Sequence, residues 1–209
     1  MRNTINSPYS AAFTGGSLLH AETNALLSMM TADNADELIR EEVHTGEHLC
    51  INSETARSRT IAEMRRRYNS VPVSFWVYYK ELSESLQPIY LFYTCLKTYR
   101  MLFDFHVDIT VRLWNQGKKE LDRFDYEMKM GEIGSKDEFV DSWSEATKKK
   151  CISVYITMLK QAGFIKDNQL VHPNIEVDDL LYFARIGDTW FLESCFMPAY
   201  EITELKTML

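Results

Sequence analysis

The sequence predicts a mainly α fold: a helical bundle with a helix-turn-helix-like N-terminal unit and a small winged-helix hairpin in the C-terminal half. Three observations carry this. Eight Gly and five Pro in 209 residues are too few for the turns of an all-β chain. Apolar residues recur at helical spacing through most of the length. The stretch from Ser142 to Pro173 runs helix, glycine, short strand, turn, short strand, which is the order of a recognition helix followed by a wing.

Taken in order, Gly15-Gly16 precede Ser17, which reads as an N-cap, and Leu18, Leu19, Ala25, Leu26 and Met29 form the first helical stripe. Thr31 to Asn34 breaks it. A second helix follows on Leu38, Ile39 and Val43 and stops at Gly46. Ser53 caps a third, with Ile61, Met64 and Tyr68 inward. These three form an N-terminal domain over residues 1–70. Residues 71–209 form a larger helical domain, with the wing at 164–172. Its centre is the aromatic block: Phe75, Trp76, Tyr79 and Leu82 on one helix, Leu91, Cys95 and Leu102 on the next after Pro88, and a third from Phe105 to Trp114. Short helices follow over 121–130 and 137–143. Ser142 and Glu145 are spaced as a capping box for the next helix, which carries Ile152, Tyr155 and Leu159 inward and stops at Gly163. Val177 to Ala184 reads as a helix, and Trp190 to Phe196 fits a strand or a helix equally.

Composition excludes several classes of function. Hydrophobic residues at 45% and charged residues at 25% are ordinary for a folded soluble protein. The net charge of -7 weighs against non-specific coating of nucleic acid but leaves room for a local basic face. Cys50, Cys95, Cys151 and Cys195 are scattered without ligand spacing, so a structural metal is not expected. The N-terminus lacks a signal-peptide pattern, and no apolar run approaches the roughly 20 residues of a membrane span. The protein is expected to be cytoplasmic, without membrane contact and without a cofactor. There is no P-loop, no dinucleotide fingerprint and no nucleophile elbow. His44 and His48 stand four apart, but Gly46 lies between them and no HExxH pattern surrounds them. No catalytic residue and no enzymatic activity are expected.

Charge is segregated instead. Between Asp33 and Glu54 seven carboxylates face one arginine, whereas Thr55 to Tyr68 carries Arg57, Arg59, Arg65, Arg66 and Arg67 against Glu63 alone. Arginine presents a planar fork suited to phosphate or guanine. Either these arginines contact nucleic acid, or the carboxylates of the preceding helix (Glu37, Glu41, Glu42) neutralise them. Lys148, Lys149 and Lys150 sit in the first turns of the later helix, where lysine is unfavourable for the helix dipole, and form a second cationic patch.

The run Tyr9-Ser10-Ala11-Ala12-Phe13-Thr14-Gly15-Gly16-Ser17-Leu18-Leu19, the segment Trp143 to Lys150 and the segment Leu159 to Ile165 resemble the BrxA family of bacterial BREX phage-defence systems. The resemblance implies a small helical protein, likened to NusB-type factors and helix-turn-helix modules, that binds DNA without catalysis. It implies partners among the BREX methyltransferase, ATPase and phosphatase-like component. The expected DNA-contact residues are Arg57, Arg59, Arg65, Arg66, Arg67, Lys148, Lys149 and Lys150, taken from charge and helix placement. The expected function is that of a DNA-binding accessory protein. A protein-interaction scaffold and NusB-like RNA binding are the alternatives.

Overall fold

A computed structural model describes residues 7–207. The chain divides into two compact units: Ala11–Thr98, and residues 7–10 with the chain from Tyr99 onward. The sequence suggests a boundary near residue 70. In the structure two further helices stay with the first three, and the division falls where Tyr99 leaves the helical backbone (φ −124°, ψ 108°). No Gly or Pro marks that break, so the apolar period runs across it unsignalled. The aromatic block is divided between the units.

The first unit holds a 3-10 turn (Ala12–Gly15) and α1 (His20–Met30), α2 (Ala35–Thr45), α3 (Glu54–Tyr68), α4 (Val73–Glu81) and α5 (Gln87–Thr98). Leu26, Ile39, Ile61 and Met64 form one buried cluster, so the inward stripes of the first three helices meet as their spacing requires. Ser53 caps α3, accepting from the Ala56 N–H at 3.4 Å. Gly46 closes α2 in the left-handed region at φ 67°. Ser17 does not cap α1. The cap position is Leu19, at φ 57° with no side-chain cap bond. The chain is held there by the buried Arg67, whose Nη1 donates to the Leu18 carbonyl at 2.9 Å. The α4 aromatics close the other side. Trp76 stacks on Tyr68 at 5.4 Å, and its Nε1 donates to the Tyr68 carbonyl.

The second unit begins with α6 (Arg100–Phe105), a π-helical segment (His106–Val111) and α7 (Arg112–Asn115). Then come α8 (Arg123–Gly134), α9 (Glu138–Asp141), α10 (Glu145–Gln161), β1 (Ile165–Lys166) and β2 (Gln169–Leu170). A 3-10 turn (Asp178–Leu180), α11 (Leu181–Arg185), α12 (Trp190–Ser194) and α13 (Ala199–Thr207) complete it. The expected hairpin forms, with Ile165 opposite Leu170 and Lys166 opposite Gln169. Its two-residue turn has Asp167 at φ 50° and Asn168 at φ 61°, the positive pair a type I′ turn requires.

The α10 stop is as expected. Gly163 is at φ 80°, Phe164 N–H donates to the Leu159 carbonyl, and Gly163 N–H donates to the Lys160 carbonyl, which together make a Schellman motif. The start differs from expectation. Ser142 ends α9, donating its hydroxyl to the Phe139 carbonyl at 2.7 Å. Ser144 is the N-cap of α10 and accepts from the Thr147 N–H at 3.2 Å. Spacing alone could not separate the two serines, because α9 inserts one extra turn. Trp190 to Ser194 is helical and ends on the same bond pattern as α10, with Phe196 at φ 67° in the glycine position. Phe196 lies parallel to Trp114 at 4.4 Å. That stack offsets a backbone conformation that costs a non-glycine residue on the order of 1 kcal/mol.

One buried polar chain runs through the second unit. Tyr126 Oη and Thr110 Oγ1 are 2.8 Å apart, Thr110 Oγ1 and Tyr155 Oη 2.6 Å, Tyr155 Oη and His106 Nδ1 2.9 Å, and His106 Nε2 and the Ser194 carbonyl 2.9 Å. Since the Ser194 carbonyl can only accept, Nε2 carries the proton and Nδ1 accepts from Tyr155. Every member is then satisfied in one direction.

Candidate nucleic-acid interface

The five arginines of α3 separate by angle around the helix. Arg57 turns inward and is buried. Its Nε donates to the Val43 carbonyl at 2.8 Å, Nη2 to His44 at 2.8 Å, and Nη1 to Ile51 at 2.7 Å and Asn52 at 3.3 Å. It therefore ties both ends of the loop between α2 and α3. Glu42 ties the middle of that loop, accepting from the His48 and Leu49 N–H groups and from His48 Nδ1. Burial would raise the Glu42 carboxyl, but these bonds outweigh it and hold its pKa below the usual range. Arg67 is buried as well, paired with Glu63 at 2.8 Å.

Arg57 and Arg67 are thus corrections to the expected contact set, because their guanidiniums are used inside the unit. The sequence missed this because charge counting cannot tell an inward arginine from an outward one. Arg65 pairs with Asp36 at 2.6 Å and Arg66 with Glu63 at 3.3 Å. Part of the expected neutralisation by α2 is therefore real, but it runs through Asp36, while Glu42 serves the loop. The exposed stripe of α3 is Thr55, Ser58, Arg59, Ala62, Arg66 and Asn69, with one exposed carboxylate, Glu54, in the first turn of the helix, where it pairs with His44.

Gly46 presses against the Arg57 clamp. A Cβ there would lie 2.8 Å from Arg57 Nη1, at a φ that L side chains rarely adopt. Gly46→Ala is expected to destabilise the first unit by about 1–3 kcal/mol, read as a lower midpoint in chemical denaturation. An unchanged midpoint would show that the clamp is not tight.

On α10 the three lysines also separate. Lys148 is half-buried, pairs with Glu145 at 3.2 Å and lines a small groove with Glu127, Met130 and Gly131. Lys149 and Lys150 are exposed. They share an outward sector about 120° wide at 100° per residue with Ala146, Ser153, Thr157, Lys160 and Gln161, and the exposed Glu145 stands at its edge one turn before Lys149. Arg123, at the start of α8, reaches over this face and donates to Ser153 Oγ at 3.2 Å and the Lys149 carbonyl at 3.4 Å. Neither Lys160 nor Arg123 belongs to a cationic cluster in the sequence. The available signal was the complement of the inward stripe Ile152, Tyr155 and Leu159.

His44 and His48 are engaged separately, with Glu54 at 3.0 Å and Glu42 at 2.9 Å. Among the described residues no group of three or more His, Cys, Asp or Glu side chains is arranged to hold a metal ion. Nor is any helix among them long and apolar enough to cross a membrane. An open cleft of about 780 Å³ in the second unit mixes Lys118 and Lys119 with Glu120, Asp122 and Asp125, and so favours neither sign of ligand.

In fold the chain is similar to an uncharacterized protein from Magnetospirillum magneticum known from a crystal structure. The two share 18% identity and a TM-score of 0.74, over 90% of this chain and 98% of that one. No curated protein matches the sequence. The BrxA family model matches residues 7–185, which include both cationic helices and the hairpin. The chain therefore belongs to the BrxA family, whose members are components of BREX phage-defence systems.

Proposed function

We propose that the protein is a non-enzymatic accessory component that binds double-stranded DNA for its BREX system, alongside the other BREX proteins. The observation that carries this is the pair of exposed cationic helix faces, one on α3 with Arg59 and Arg66, the other on α10 with Lys149, Lys150 and Lys160, each with an exposed carboxylate only in its first turn (Glu54 and Glu145). A chain of net charge -7 that confines carboxylates to the first turn of two such faces has local sites suited to phosphate. Arg65 and Lys148 stand at their margins. The test is a duplex mobility shift with charge reversal at Lys149 and Lys150, and separately at Arg59 and Arg66, with circular dichroism as the folding control. Loss of the shift in a folded variant assigns the face. Unaltered shifts in both variants contradict the site, and stronger competition by single-stranded RNA than by duplex would favour RNA binding.

A second reading, a protein-interaction scaffold, is favoured by Phe124 and Met128, each 59% exposed one turn apart on α8. Phe124→Ser with Met128→Ser would then release a BREX partner while leaving any DNA shift intact.

A further inference from the structure

The second unit contains a third extended segment that the two-strand hairpin does not reveal by itself. After α7, Glu120 forms an antiparallel bridge with Gln169, and the Leu170 N–H donates to the Lys119 carbonyl at 2.7 Å. The pairing order is therefore the 119–120 segment, β2, β1. Along the chain this gives helix (α6–α7), extended bridge, helix (α8), helix (α10), then two strands joined by a tight turn, with the short α9 inserted before α10. That is the full chain order of a winged helix, and α10 occupies the position of its recognition helix. From Ala146 to Thr157 the helix runs roughly 17 Å at 1.5 Å per residue, enough to lie in a major groove about 12 Å wide.

We infer that α10 enters the major groove and reads bases there, with the turn between β1 and β2 acting as a wing on the neighbouring backbone. The inference rests on the DNA reading above and adds the groove, the element and the residues that discriminate. Lys149, Lys150 and Lys160 flank the face and meet phosphates. The centre is formed by short side chains, Ala146, Ser153 and Thr157, which let the helix backbone approach base edges. Thr157 Oγ1 donates to the Ser153 carbonyl at 2.9 Å, and Ser153 Oγ donates to the Lys149 carbonyl at 2.9 Å. With those protons committed along the helix and Ser153 Oγ also accepting from Arg123, Thr157 Oγ1 is the more open acceptor, suited to the amino group of adenine or cytosine. The Thr157 methyl suits the methyl of thymine. Arg123, bonded to Ser153 Oγ, is a positioning residue that fixes this rotamer. The wing presents Lys166 and Asn168 with one carboxylate, Asp167, so its contribution is a single cationic contact.

The experiment is selection from random-sequence duplexes with the full chain, followed by affinity measurement on the enriched and a scrambled duplex. An enriched motif is expected. Ser153→Ala with Thr157→Ala should lower the enriched-over-scrambled affinity ratio at least tenfold and leave scrambled binding within about twofold. Lys166→Ala should weaken both duplexes equally. If the protein binds duplex DNA but enriches no motif, or if the double variant keeps its preference, base reading by α10 is overturned and the DNA reading stands. If it binds no duplex, both fall.

Discussion

Arg57→Ala is expected to lower the stability of the Ala11–Thr98 unit by about 3–5 kcal/mol, because it strands several hydrogen-bond acceptors at once. The guanidinium supplies donors to four backbone carbonyls at the two ends of the α2–α3 loop. Alanine leaves those carbonyls unpaired inside the unit, and each unpaired buried group costs about 1–3 kcal/mol. Relaxation and water entry keep the total below the simple sum. Arg59→Ala, two residues along on the exposed stripe, should stay within about 0.5 kcal/mol of the parent. Thermal unfolding followed by circular dichroism separates the two. Equal effects would show that Arg57 is not the clamp, and would return it to the surface where charge counting placed it.

The second large effect belongs to His106. Burial lowers its pKa to about 4, partly offset by its bond to the Ser194 carbonyl. An imidazole in the unfolded chain titrates near 6.5. The folded state therefore favours the neutral ring, and this contribution is complete above about pH 6.5. It is lost as the pH falls from there to about 4, because the unfolded chain takes up a proton that the folded chain refuses. The full loss is on the order of 3 kcal/mol. His106→Phe should lack that acid-sensitive component and be less stable at neutral pH by about 2–4 kcal/mol, since the buried Tyr155 O–H loses its acceptor and the Ser194 carbonyl loses its imidazole donor. Urea unfolding at pH 7.5 and pH 5 checks both. A variant whose stability still falls as steeply as the parent's would place the acid sensitivity elsewhere.

Much of the helical fold was legible in the sequence because its punctuation is local. Ser53, Gly46 and Gly163 act within one turn of where they stand, and the hairpin turn at Asp167-Asn168 needs only two residues of suitable type. The features that escaped depend on tertiary neighbours. Leu19 takes a cap position because Arg67 holds the preceding carbonyl. Tyr99 breaks a helix without a breaker residue. The 119–120 segment becomes extended only by pairing with β2. The cationic sites were half legible for the same reason. Composition located the clusters, and the helical period assigns each residue an angle. Only the packed structure shows which angle is inward, placing Arg57 and Arg67 inside while Lys160 and Arg123 join Lys149 and Lys150 at the surface.

If a duplex is held by the outward face of α10, the lysines of that face set how binding responds to salt. The measurement is the salt dependence of duplex affinity for the parent and for Lys149→Ala with Lys150→Ala, read by fluorescence anisotropy. Each phosphate contact contributes about 0.9 to the slope of log affinity against log salt. The expected result is a parent slope of several units and a variant slope shallower by about 2. An identical slope in the two proteins would contradict it.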